Sequence, residues 1–542
     1  MTDPAIDPLR QLSAPLEQLL AGGGDTRLAL DPTSLLNAYG CRPVPRPEAF
    51  TFASSTATSI SDRAFAAVAT ARQALLRDSM TWGFERAFDL RQDALRDDIK
   101  TMLNLYDTGC EVVLAPSGTD AQLLALCIAR AIFAAPLTSL IAAGDETGSG
   151  AAHAARGRHF NAITAQGVAA VKGTPIAGLA ADTESVAVAV RDDCGAPRAA
   201  SQIEAEIGDC IAQALAVGRR ALLFAMDSSK LGMRTPSPDC LRRLAASADG
   251  KLGVVVDACQ VRLGRKRLRW CLDQGFMVLI TGSKFFTGAP FSGALLLPQA
   301  MVARAAAAEL PLSALGAYSN RSDWPEALPR ARAALPARAN VGQWLRWVSA
   351  VAEMGAYYAV PFAYRRLALG RFAEVVPHLI GGADVLEPLS LDDGPPDEID
   401  DEEMAARTIF PFFVRRHGRH LSLARATKLY RALNDDVSAL LPATLPLRER
   451  WIAAQRCHIG QPVPVRDRQG ELSGALRVSA GARVISETWT GDIETSAEVL
   501  VREFDQVRGI VEKIGLLVRH FDDIERAYEA PHPAPSRQAS AA

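Results

Sequence analysis

None of the nine cysteines forms a CxxC pair with another, and their odd number and wide scatter suit neither a disulfide framework nor a zinc site. No metal ligand set is expected. The chain also lacks an excess of one charge. It has 59 basic and 61 acidic residues mixed along 542 positions, for a net charge of −2, which removes the one-sided basic surface that nucleic acid would select. No uncharged apolar run reaches membrane-spanning length, and the opening MTDPAIDPLRQL has no apolar signal-like core. No internal repeat is found. These absences point to a cytoplasmic protein with no nucleic-acid or membrane partner. What remains, 49% hydrophobic and 22% charged, is ordinary globular composition, long enough for two domains.

Residues 1–50 form an extension: one short amphipathic stretch, PLRQLSAPLEQLLAG, and a Pro-rich spacer. Short apolar runs then read as buried strands: EVVLA (111–115), TSLIAA (138–143), ALLFAM (221–226), LGVVVDA (252–258), FMVLIT (276–281) and GALLL (293–297). Helix-length segments such as TDAQLLALCIARAIFAA lie between most of them. Such alternation predicts an α/β fold with a mostly parallel sheet covered on both faces. Residues 300–380 are Ala-rich and helical in pattern. TIFPFFVRR and ALRVS are expected strands of a smaller α+β C-terminal domain that ends in a helix, AEVLVREFDQVRGIVEKIGLLVRHF. The expected division is an extension at 1–50, a large domain at 51–340, a small domain at 341–530, and a disordered tail at 531–542. Within the small domain, residues 388–404 read as an exposed, mobile acidic insertion.

In sheets of this kind ligands gather beyond the carboxyl ends of the strands, and the polar motifs fall there. After EVVLA come Ser117, Gly118 and Thr119, immediately before a helix. Small residues and hydroxyls at a helix N-terminus suit an anion, although an N-cap at Ser117 or Thr119 accounts for the same residues. After LGVVV comes Asp257. A buried carboxylate needs a cation or strong donor, and a pyridinium nitrogen would serve; a turn-capping Asp is the plainer alternative. After FMVLIT come Gly282, Ser283 and Lys284. A lysine there can form a Schiff base with an aldehyde, or snorkel to the rim. A GSG at 148–150 lacks the third glycine and downstream acid of a dinucleotide fingerprint.

Together SGTDA, VVDACQ and TGSKFFTGAPFSGALLL resemble the fold type I pyridoxal-phosphate (PLP) enzymes, in particular the class V aminotransferase and cysteine desulfurase branch. FASSTATSIS, SSKLGMRTPSPDCLRRLAA and GALRVSAGARVISETWTGDIE resemble further segments of that branch, in the family's order. The resemblance implies a fold type I transferase architecture and a homodimer acting on an amino acid or amine. It implies that Lys284 holds pyridoxal 5'-phosphate as a Schiff base and moves the α-proton. Asp257 would pair with the pyridine nitrogen, and Gln260 with the phenolic oxygen. Gly118, Thr119, Thr281 and Ser283 would bind the phosphate, with Ser117 a further cofactor-binding candidate, and Arg477 would grip the substrate carboxylate.

The chain departs from the family in several places. Ser283 stands where the family has a histidine, and Ser229 where it has an asparagine near the phenolic oxygen. Thr147 follows Glu146 at the ring-stacking position, unless the alignment slips to His153 or His159, which otherwise read as surface residues. The desulfurase thiol position falls on Ile459. Cys457 is two residues away and is either a reactive thiol or a structural cysteine. Transamination is therefore expected first, with a Cβ–S lyase or desulfurase-like activity as the alternative. A regulatory cofactor-binding module is disfavoured, because residues 1–50 are too short and Pro-broken for a helix-turn-helix.

Overall fold

A computed structural model describes residue 9, residues 12–392, residue 399 and residues 401–528. The tail expected at 531–542 lies outside the described residues, as do positions 393–398 and 400 of the acidic insertion.

The apolar runs form one seven-stranded sheet. In chain order its strands are β2 (Glu111–Ala115), β3 (Leu137–Ala142), β4 (Thr183–Val188), β5 (Arg220–Met226), β6 (Leu252–Ala258), β7 (Met277–Thr281) and β8 (Gly293–Leu297). The spatial order is β2-β8-β7-β6-β5-β3-β4. Pairings from β7 through β4 are parallel, and β8 runs antiparallel to both β2 and β7. The sheet is the mostly parallel α/β arrangement expected from the alternation of strands and helices. Successive side chains of a strand serve opposite faces: Val254 and Val256 join one apolar cluster while Val255 joins another. Both faces are covered, which is why these strands read as unbroken apolar runs. Strand β4 escaped the sequence reading because it lies at the sheet edge, its residues half exposed and polar.

A smaller sheet is built from β1 (Ala49–Phe52), β9 (Leu386–Pro388), β10 (Ile409–Arg416), β11 (Arg419–His420), β12 (Arg456–Arg466) and β13 (Leu472–Ser479). Strand β12 carries Pro462 and Pro464, which argue against a strand in sequence. They are tolerated because β1 pairs only with residues 456–459 of β12. Beyond that point one edge of β12 has no ladder to feed, and the β12–β13 register shifts between Gly460 and Val463. The expected terminal helix spans Ile493–Arg519, and its start is capped by Asp492, which accepts from the Thr495 N–H at 2.8 Å.

The described part of the N-terminal extension is tied down. Arg346, buried on the helix Val341–Ala359, donates to the carbonyls of Leu20 (3.0 Å), Gly22 (2.5 Å), Gly23 (2.9 Å) and Phe291 (2.8 Å). Arg46 donates to the side chain of Asn434 and, at 2.7 Å, to its carbonyl. The acidic insertion is not free at its described end. Asp401 accepts from the Gly264 N–H at 2.7 Å and Glu403 from Arg265 N–H at 3.2 Å, so acids from a distant segment cap the helix Arg265–Asp273. Among the described residues no helix is long and apolar enough to cross a membrane.

Candidate active site

The carboxyl ends of the parallel strands and the start of β8 open on one cavity of about 370 Å³. The smaller sheet closes it with the turn after β1 and residues of β12 and β13. Apart from the alternatives His153 and His159, every residue singled out from the sequence as a cofactor or substrate ligand lines this cavity: Ser117, Gly118, Thr119, Thr147, Ser229, Asp257, Gln260, Thr281, Ser283, Lys284 and Arg477. Asp257 and Lys284 thus face a common space from neighbouring strand ends.

The floor is a close meeting of backbone segments. Ser117 caps the helix Gly118–Phe133, accepting from the Asp120 N–H at 3.3 Å and donating to its carboxylate at 2.5 Å. A Cβ at Gly293 would stand 2.4 Å from the Ser117 carbonyl carbon, and one at Gly118 would stand 2.5 Å from Cys259 Sγ. Both glycines are therefore what lets β8, the helix start and the strand end after β6 converge. The N–H groups of Gly118 and Thr119, at the start of that helix, lack intrahelical acceptors, and both residues line the cavity with Ser283, whose hydroxyl has no partner among the described residues.

Asp257 Oδ1 accepts from the Cys259 N–H at 3.1 Å. The Cys259 thiol is hydrogen-bonded to the same carboxylate. Burial pushes this carboxyl above the ordinary range, against the Cys259 bond and the charge of Lys284. Among the described residues Lys284 makes only a long contact, 3.4 Å, to the Ser55 carbonyl. Burial first, then repulsion from Lys230 and Arg477, lowers its ammonium to about 7. Gln260 donates to the same Ser55 carbonyl at 2.9 Å and keeps its second N–H. Arg477 is 2% exposed and donates to the Lys230 carbonyl (3.0 Å), Thr56 Oγ1 (2.8 Å) and the Gln461 carbonyl (2.7 Å). Those bonds fix the plane of its guanidinium at the cavity wall.

Two expected donors spend their protons elsewhere. Thr281 donates to the Cys259 carbonyl at 2.7 Å, so it can only accept from the cavity. Ser229 donates to Glu146 and accepts from the N–H groups of Leu231 (3.2 Å) and Met233 (3.0 Å). Its hydroxyl is consumed in holding the loop after β5. Glu146 is the anchor there, since Arg191 Nε also donates to it at 2.6 Å. Of the ring-stacking candidates, Thr147 lines the cavity whereas His153 and His159 do not; His159 instead hydrogen-bonds Tyr318 at 2.6 Å and stacks on it. Cys457 is 1% exposed, lies off the cavity and has its thiol pushed up to about 11, chiefly by burial.

Sequence reasoning missed Arg27, Tyr39 and Lys230, all of which line the cavity. Arg27 comes from the extension. Asp25 holds it (Nε to Oδ1 2.9 Å, Nη2 to Oδ2 2.6 Å), and it lies over the Phe291 ring, 4.7 Å to the centroid. Its Nη2 also reaches Ser117 Oγ at 3.4 Å. Lys230 had a signal, since it follows a buried strand as Lys284 does.

No family model and no curated protein sequence matches this chain. Solved structures similar to it include Oryza sativa TDC with PLP and tryptamine (TM-score 0.47, 15% identity, covering 84% of this chain and 83% of that one). Mouse CSAD is similar at TM-score 0.46 and 13% identity, covering 84% and 83%. So is the phosphoserine aminotransferase SerC of Cytophaga hutchinsonii, at 0.47 and 13%, covering 83% and 96%. At these scores the functional reading rests on the cavity itself.

Proposed function

We propose that this chain is a pyridoxal 5'-phosphate-dependent enzyme acting on an amino acid or amine, with transamination as its reaction. The observation that carries this is the shared cavity of Lys284 and Asp257, flanked by a helix N-terminus and a buried arginine. The donor set suits the group. The N–H groups of Gly118 and Thr119 with Ser283 suit its phosphate, Gln260 its phenolic oxygen, Asp257 its ring nitrogen and Lys284 its aldehyde. When bound, the cofactor supplies an electrophilic aldehyde carbon and a ring that draws electrons away from the substrate's α-carbon.

This chain's residues do the rest. Lys284, with its amine held near neutrality, is nucleophilic at physiological pH and can take a proton from the substrate α-carbon and return it elsewhere. Asp257 would keep the ring nitrogen of the bound cofactor protonated. Arg477 orients the substrate carboxylate with donors left over from its structural bonds. Desulfuration through Cys457 is disfavoured, because that thiol lies off the cavity, is buried and is pushed up to about 11. The same reading carries a homodimer as the working assembly, and a large domain at 51–340 with a small one at 341–530.

An absorbance spectrum tests this directly. Purified protein with added pyridoxal 5'-phosphate should turn yellow and, with an accepted amino acid, shift to the cofactor's amine form while a keto acid appears. A preparation that stays colourless would refute the cofactor assignment; pyruvate or sulfide release with the yellow form retained would favour a lyase. Cys457→Ala is expected to leave turnover within about 2-fold while costing ~1 kcal/mol of stability, measured by denaturant melts.

A further inference from the structure

Six charged side chains line the cavity: Arg27, Lys230, Lys284 and Arg477 against Glu146 and Asp257. The two acids are engaged, Glu146 by Arg191 and Ser229, Asp257 by the Cys259 N–H. The cations are not equivalent. Lys284 is taken by the aldehyde and Arg477 by the α-carboxylate in the function proposed above. Arg27 is clamped by Asp25 and leans toward Ser117, on the side of the helix N-terminus. Lys230 is left over.

Its backbone is fixed on both sides. The Lys230 N–H donates to the Glu146 carbonyl at 3.2 Å, and its carbonyl accepts from Arg477 at 3.0 Å. The preceding Ser229 is bonded to Glu146, and the following Leu231 is fully buried. A rigid loop therefore presents a lysine next to the carboxylate-binding arginine. The ammonium itself has no hydrogen-bond or ion-pair partner among the described residues, and burial with repulsion from Arg477 and Arg27 lowers it to about 8. A half-buried, repelled cation with no counter-charge among the described residues is costly unless a ligand supplies the anion.

We infer that Lys230 forms a second anion subsite, and that the substrate is an amino acid carrying a further acidic group, carboxylate or phosphate, beside its α-carboxylate. This rests on the proposed function, which supplies the roles of Lys284 and Arg477. The chemistry is the shared one of a compact anion meeting an ammonium at the end of a flexible stem.

The test uses protein loaded with pyridoxal 5'-phosphate and unreactive acids, with calorimetry as the readout. Glutarate and 3-phosphonopropionate carry two acidic groups; valerate carries one. Wild type is expected to bind one of the two diacids at least about 10-fold more tightly than valerate, and the tighter of them names the second group. Lys230→Met should bring that ratio close to one, and Lys230→Arg should retain most of it. Equal binding of all three acids by wild type would overturn the inference, as would a ratio that survives Lys230→Met. So would a loss in Lys230→Met that falls on pyridoxal 5'-phosphate affinity with the ratio kept, since Lys230 would then serve the cofactor's phosphate. Failure of the underlying function is separable: it appears earlier, as no yellow form and no borohydride-fixed adduct at Lys284, and it removes the substrate inference along with it.

Discussion

Replacing Lys284 by alanine is expected to lower turnover by at least about 10⁴-fold, because one amine both anchors the cofactor and relays the proton. A loss that small amines such as methylamine partly restore would identify the missing group as a base rather than a packing element. The pH dependence has a definite sign. Burial and the neighbouring Lys230 and Arg477 bring the Lys284 ammonium from the ordinary 10.5 to about 7. The neutral, reactive amine therefore accumulates as pH rises through about 7. Stopped-flow capture of added pyridoxal 5'-phosphate by cofactor-free protein should speed up across that range and level off above it. An amine at the ordinary value would show no plateau below pH ~10.

The same shift bears on stability. Between about 7 and 10.5 the unfolded chain holds a proton on residue 284 that the folded protein lacks, so cofactor-free protein gains stability as pH rises through this window. Lys230, lowered to about 8, contributes in the same direction over a narrower span. Lys284→Met should remove part of that slope and stabilise cofactor-free protein below pH 7, on the order of 2 kcal/mol once solvent in the cavity is allowed for. Thermal melts at several pH values measure it, and an inactive variant that is more stable than wild type cannot be dismissed as misfolded.

Lys284 and Asp257 were legible because each is a charge at the end of a run that composition says is buried, and such charges need partners. The helix start at Ser117–Thr119 was legible for a similar reason: small and hydroxyl residues between a strand and a helix. What sequence order could not carry is the competition for each proton. Thr281 and Ser229 have suitable side chains in suitable places, yet a carbonyl at 2.7 Å and the Glu146 carboxylate take their protons. Arg27 was hidden differently. Its place depends on Arg346, more than three hundred residues later, pulling the extension's carbonyls against the start of β8. Strand β12 was obscured by Pro462 and Pro464, whose acceptability depends on where a partner strand stops.

Asp257→Asn should cost about 10³-fold in turnover while keeping the shape of the site, since an amide cannot hold a proton on the facing ring nitrogen. Two protein states separate this effect from mere damage. Without cofactor, burial raises the Asp257 carboxyl, so the folded protein keeps a proton there that the unfolded chain releases above its ordinary 3.8. Stability tied to this residue is then present at low pH and lost as pH rises through the raised value. The asparagine variant has no such loss and should melt at or above wild type at neutral pH. With cofactor, the order should reverse. The protonated ring supplies the cation that the carboxylate lacks, so pyridoxal 5'-phosphate should raise the melting temperature of wild type more than that of Asp257→Asn. Equal cofactor-induced shifts in the two proteins would mean that residue 257 does not face the ring nitrogen. Its bonds to Cys259, from the N–H at 3.1 Å and from the thiol, would then be its whole role, a cap on the turn that ends β6.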